Sequence, residues 1–142
     1  MSISLVIPAY EQHGLGALHL SQLLDSLNKQ TGVEYDVVVA DSAKDDSIKK
    51  VCEQYDVRRV IGVYGASENI NAAIDQATHD KVKLMCQDDL FIKHNALKLF
   101  SDALDDYGWV ISNSIRYDGN LKQIGRTDTV YTHGIIQKNT TG

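Results

Sequence analysis

Short apolar runs alternate with longer stretches whose apolar residues recur three and four positions apart, and this rhythm constrains the fold more than any other feature. ISLVIP (3–8) reads as a buried strand, and a helix is expected near 15–30, with Leu20, Leu23, Leu24 and Leu27 on one stripe. YDVVVAD (35–41) is a second strand, followed by Ile48, Val51, Cys52 and Tyr55 at the same helical spacing. RRVIGV (58–63) is a third, followed by Ile70, Ala73, Ile74 and Ala77. VKLMC (82–86) is a fourth, followed by Leu97, Phe100 and Leu104. WVISNSI (109–115) is expected as a fifth strand, Asp118-Gly119-Asn120 as a turn, and LKQIG and VYTHGII as two shorter strand-like runs. Strands alternating with helices predict an α/β fold, a mostly parallel sheet covered by helices on both faces.

No linker, repeat or low-complexity stretch interrupts the pattern, and 142 residues suit a single domain, 1–142. The net charge of −5, without a basic run, makes nucleic acid and anionic membranes poor partners. No apolar stretch approaches the roughly 18 residues of a membrane span, and Met1-Ser2-Ile3 enters a strand-like run without a signal peptide. Cys52 and Cys86 lie far apart in apolar segments, which reads as buried, reduced thiols in a cytoplasmic protein.

In a parallel sheet, ligands bind beyond the carboxyl ends of the strands. The residues there are Pro8-Ala9-Tyr10-Glu11, Asp41-Ser42, Tyr64-Gly65-Ala66-Ser67 and Gln87-Asp88-Asp89. Three of these groups bring carboxylates to one edge. Asp88 and Asp89 are adjacent like charges beside Leu90, Phe91 and Ile92, an arrangement that costs free energy unless a positive group joins them. Read alone, the pair is equally consistent with caps of the following turn. Asp45 and Asp46 precede a helix and read as its cap and first-turn acids. The five histidines show no paired metal spacing.

SLVIPAYEQ, DSLNKQT, DVVVADSAKDD, GASENINAAIDQAT and LMCQDDLFI together resemble, in order and spacing, the family 2 glycosyltransferases. The resemblance spans roughly residues 2 to 115 and implies the GT-A (Rossmann-like) fold of nucleotide-sugar transferases. It implies that the loop Pro8-Ala9-Tyr10-Glu11 lines the nucleotide base, with Tyr10 as the stacking aromatic, and that Asp41 accepts a hydrogen bond from uracil. Ser67 and Asn71 match the segment that braces the donor. Gln87-Asp88-Asp89 matches the acidic motif, with Asp88 towards the ribose and Asp89 ligating manganese or magnesium, hard ions suited to carboxylate and phosphate oxygens.

The implied reaction transfers a sugar, with inversion, from a nucleoside-diphosphate sugar to a hydroxyl of a glycan, lipid or protein. Ile70 and Ala73 depart from the pattern, standing where an arginine and a glycine are frequent, and Gln87 is a neutral first member of the acidic motif. The segment that supplies the catalytic base in inverting members is expected beyond Gly142, so the chain reads as a minimal or C-terminally truncated core. Within it, Asp128 is the candidate base and His133 a candidate late metal ligand. The alternative reading is a non-catalytic nucleotide-sugar-binding module, or a donor half that needs a partner.

Overall fold

The computed structural model describes residues 2–62, 65–118, 120 and 122–127. By its internal contacts the chain forms two compact units, Met1–Ser101 and Asp102–Gly142.

The first unit is built on a parallel sheet. Its strands are β1 (Ser2–Ala9), β2 (Glu34–Asp41), β3 (Arg58–Ile61) and β4 (Val82–Leu84), in the spatial order β3-β2-β1-β4. Between them run α1 (Gly16–Leu27), α2 (Ser47–Tyr55) and α3 (Ala66–Ile74), and α4 (Ala96–Asp106) follows β4. The first three strands step outward in one direction, and the chain then crosses back to place β4 on the other side of β1. The gap beyond the carboxyl ends of β1 and β4 is therefore the point where the strand order reverses, the usual ligand crevice of such sheets.

The alternation of side chains along a strand sorts the core into two layers. Ile3, Leu5, Ile7, Val37 and Val39 share one parity and are buried, as are Leu20, Leu23, Leu24 and Leu27 of α1 and Ile48, Val51 and Cys52 of α2. Helices α1 and α2 pack on each other, and the Tyr35 hydroxyl, on the same parity, donates to the Leu27 carbonyl. Val6, Val38 and Ala40, of the opposite parity, form a second cluster with Ala73 of α3. Burial pushes the Cys52 thiol up to about 11, so it behaves as a small apolar group. Cys86 departs from expectation: the residue is exposed, because the chain leaves the sheet at Leu84 and the strand predicted through residue 86 stops short.

The expected stripe of helix α3 is kept in part, with Ala73 in the second cluster and Ala77 packed against it, but Asn69 turns inward and Ile74 outward. Asn69 and Ala73 are its buried positions, and Ile74 is exposed. The Asn69 amide donates to the carbonyl of Ala40 at 3.0 Å, so a polar side chain takes the inward position by closing a backbone bond of β2. Asp45 does act at the start of α2, its carboxylate accepting from the Ser47 N–H and hydroxyl.

The second unit holds a two-stranded antiparallel ribbon, β5 (Ser114–Tyr117) with β6 (Gln123–Thr127). This corrects the expected fifth strand at 109–115, since residues 109–113 are not in strand and pairing begins only at Ser114. The apolar run WVI carried the expectation, but a strand forms where a partner lies, and the nearby turn supplies one. Asp118 serves that turn: its carboxylate accepts from the N–H groups of Asn120 and Lys122. Among the described residues, no helix is long and apolar enough to cross a membrane. Asp128, His133 and the run VYTHGII lie outside the described residues.

Candidate nucleotide and metal site

The site begins with the backbone of β1. The Ser4 N–H donates to the Lys81 carbonyl, and the Val6 carbonyl accepts from the Met85 N–H, so even-numbered residues of β1 turn their polar groups towards β4. Pro8 is the next even residue and has no N–H to offer, but β4 has already ended at Leu84, so no ladder bond is lost. The two chains separate there, and the gap opens.

Gln87 closes it. Its side-chain oxygen accepts from the Tyr10 N–H at 2.8 Å, and its amide nitrogen donates to the Tyr10 carbonyl at 2.9 Å and to the Gly16 carbonyl at 3.2 Å. Tyr10 is the following even residue, so the amide stands in for the missing strand. Gln87 is only 2% exposed. Gly16 makes the closeness possible, since a Cβ there would lie 2.0 Å from the Tyr10 carbonyl oxygen. The loop between is tightly wound: Gln12 and His13 take φ of 44° and 55°, and the Glu11 carbonyl accepts from both Gly14 and Gly16. Tyr10 is left 47% exposed, so it is not a packed core aromatic.

On the other flank of β1, the Ala9 carbonyl accepts from the Ser42 N–H, and the Glu11 carboxylate accepts from the Lys44 N–H at 3.2 Å. Asp41 ends β2 with its side chain 1% exposed. One oxygen pairs with the Arg59 guanidinium at 2.7 Å, and the other accepts from the Ala43 N–H at 2.9 Å. Arg59 was not singled out from the sequence. Val39 is its register partner, so Arg59 and Asp41 share a parity on neighbouring strands, and that was the available signal.

Asp88 and Asp89 follow Gln87, and both residues are exposed. Partial desolvation and then the neighbouring Asp88 charge hold the Asp89 carboxyl above the usual carboxylate range, with Lys83 opposing. The Lys83 ammonium lies 4.5 Å from the centre of the Phe100 ring and donates to the Leu84 carbonyl. Among the described residues, neither acid has a cation within ion-pair distance. The loop that carries them is nevertheless anchored. The Phe91 N–H donates to the Ser26 hydroxyl, and the amide of buried Gln30 donates to the Lys93 carbonyl and accepts from the Leu97 N–H.

The structure therefore brings Pro8, Ala9, Tyr10, Glu11, Asp41 and Gln87 into one hydrogen-bonded edge, with Asp88 and Asp89 next in the chain. Ser67 and Asn71 lie exposed on α3. The donor set at the acid pair is oxygen only, and no three His, Cys, Asp or Glu side chains gather among the described residues. Such a set fits a magnesium or manganese ion that takes one or two carboxylates from the protein and its other ligands from substrate phosphates and water.

Residues 4–141 match the profile of the family described as Glycosyl transferase family 2. Among solved structures, the chain is similar to S. aureus TarS 1-349, with 28% sequence identity and a TM-score of 0.59, over 74% of this chain and 32% of that one. It is similar, with 27% identity and a TM-score of 0.59, to S. aureus TarS 1-349 in complex with UDP-GlcNAc, over 74% of this chain and 31% of that one. The chain spans about a third of the length of these structures. No curated protein gives a match.

Proposed function

The chain belongs to glycosyl transferase family 2, and from that premise we propose that it transfers a sugar from a uridine-diphosphate sugar to a hydroxyl of a glycan, lipid or protein acceptor. The observation that carries the reading is the edge at the strand-order reversal, where exposed Tyr10 and an acid pair with no ion-pair partner among the described residues flank the buried Gln87 bridge. The uridine part is supported by the likeness to a structure that holds UDP-GlcNAc.

In this reading the Tyr10 face stacks on the pyrimidine, and the backbone of Pro8 to Glu11 meets its edge. Asp41 takes part as an acceptor for a uracil N–H, through the lone pairs that Arg59 and Ala43 leave free. Ser67 and Asn71 brace the donor from α3, and Asp88 faces the ribose. Asp89 would hold manganese or magnesium; when bound, such an ion supplies Lewis-acid stabilisation of the charge on a departing diphosphate. The acceptor hydroxyl attacks the anomeric carbon in line with the leaving group, and Asp128 is proposed as the base that takes its proton. His133 is proposed as a further ligand of the ion.

A thermal-shift panel of nucleotides and nucleotide sugars, with and without manganese, tests the donor half. A shift for uridine diphosphate and UDP-GlcNAc that grows with manganese is expected, and no shift for any uridine nucleotide would defeat it. Product formation with a panel of acceptors then separates an enzyme from a binding module. Donor binding with neither transfer nor hydrolysis would favour the module.

A further inference from the structure

We propose that Gln87 is a positioning residue, whose side-chain amide sets the backbone that carries Tyr10 and thereby the affinity for the nucleotide. The inference rests on the reading above, in which Tyr10 meets the base.

Three hydrogen bonds use both amide hydrogens of Gln87 and one lone pair of its oxygen. Both polar groups of the Tyr10 backbone are taken by one amide, and the same nitrogen reaches Gly16 at the start of α1. The peptide units on both sides of Tyr10 are thereby pinned by one side chain, and rotation of either loses one of these bonds. The residues after it offer little alternative support, because Gln12 and His13 already occupy the left-handed region and the Glu11 carbonyl turns inward to Gly14 and Gly16. On the β2 flank the segment is fixed at Ala9 and Glu11, one residue to either side of Tyr10. On the β4 flank, Gln87 alone stands where strand pairing has ceased.

Only an amide can accept from the Tyr10 N–H while donating to two carbonyls. An ionised glutamate keeps the first bond and loses the other two. Leucine, of similar size, loses all three. Asparagine is one methylene too short to span the gap.

A purely structural brace predicts that Gln87 variants lower stability without changing nucleotide affinity. A positioning residue predicts a loss of affinity that passes through Tyr10. The test is a double-mutant cycle on the full chain with uridine diphosphate and manganese as the probe, read by calorimetric titration, with urea unfolding followed in parallel.

Gln87→Leu is expected to weaken binding by at least about tenfold, consistent with the loss of buried hydrogen bonds. Gln87→Glu should weaken it at least as much, because it sets a carboxylate oxygen against the Tyr10 and Gly16 carbonyls at a buried position. In the Tyr10→Ala background, Gln87→Leu should cost clearly less affinity than in the parent, because the ring it positions is gone and only the backbone contacts remain. Losses that multiply across the two sites, or Gln87 variants that bind like the parent while only stability falls, would overturn the inference. If Gln87→Leu does not fold, the cycle is run with Gln87→Asn, which keeps the amide but shortens its reach, and the same criteria apply. Failure of the parent chain to bind uridine diphosphate would defeat the functional reading and the inference with it; the other adverse outcomes defeat the inference alone.

Discussion

Asp41 and the pair Asp88-Asp89 stand at the same end of one sheet, and the fold treats them in opposite ways. Asp41 is buried, with Arg59 on one oxygen and the Ala43 N–H on the other. Asp88 and Asp89 are exposed, and among the described residues no cation closes on either. The first acid carries its counter-charge within the chain. The second group sits on a loop anchored through Ser26 and Gln30, with only the more distant Lys83 opposing its charge among the described residues. Anchored backbone around carboxylates without an ion-pair partner is costly for a structural cap and useful for a metal ligand. The difference in charge partner, more than the presence of acids, separates a residue that serves the fold from one available to a ligand.

The sharpest way to break this comparison is Asp89→Ala. Removal of a carboxylate that has no ion-pair partner among the described residues should leave the fold intact or slightly more stable, since desolvation and like-charge repulsion from Asp88 are relieved. The manganese-dependent part of uridine diphosphate binding should vanish. Calorimetric titration with and without manganese, beside a urea denaturation curve, checks both. Unchanged manganese-dependent binding would remove Asp89 from the metal site.

Asp41→Ala should behave in the reverse sense. It strands the Arg59 charge and the Ala43 N–H at a buried position, and breaking a buried pair costs about 3–5 kcal/mol. Arg59 is 30% exposed, so water recovers part of this, and a stability loss of about 2–3 kcal/mol is expected. Nucleotide affinity of the folded protein should fall by a smaller amount, about 1 kcal/mol, from the proposed contact with the base. A variant that keeps its unfolding midpoint but loses affinity would show that Asp41 serves the ligand alone and that its pair with Arg59 does not brace the fold.

The sequence made parts of this contrast legible and hid others for physical reasons. The helical stripes of α1 and α2 and the four strand runs were readable because periodicity records which faces are buried. Partners are not recorded in the same way. Gln87 was readable as a neutral member of an acidic motif, but its use depends on the backbone of Tyr10, 77 residues away. Arg59 lay inside a strand run, and its pairing with Asp41 follows only once the register of β2 and β3 is known. Asn69 was missed on α3 because apolar periodicity gives no weight to a buried amide that closes a backbone bond. WVISNSI failed for a related reason: the pattern predicts a strand without saying where its partner lies.

The smallest expected effect lies in the pH dependence of the metal-free protein, where Asp36 joins Asp41 as an acid with built-in partners. Burial works to raise the Asp36 carboxyl, but hydrogen bonds from Ser4 and Thr78, with the nearby His79, outweigh it and hold the group below its ordinary range. A folded value below the unfolded one means that its stabilisation is present above about pH 4 and is lost as the pH falls through the folded value. Asp89 is raised by desolvation and then by Asp88, so its sign is opposite. The folded state holds that proton more tightly, and stability declines as the pH rises from about 4 through the folded value. Urea midpoints between pH 3 and pH 7, with chelator present, should therefore separate two variants. Asp36→Asn should flatten the loss of stability on the acid side of about pH 4, and Asp89→Asn should raise the midpoint on the neutral side. Manganese together with uridine diphosphate should cancel the second difference by supplying the missing charge to the parent. If Asp89→Asn leaves the neutral-side midpoint unchanged, the acid pair is adequately solvated as it stands, and the contrast with Asp41 rests on its partners alone.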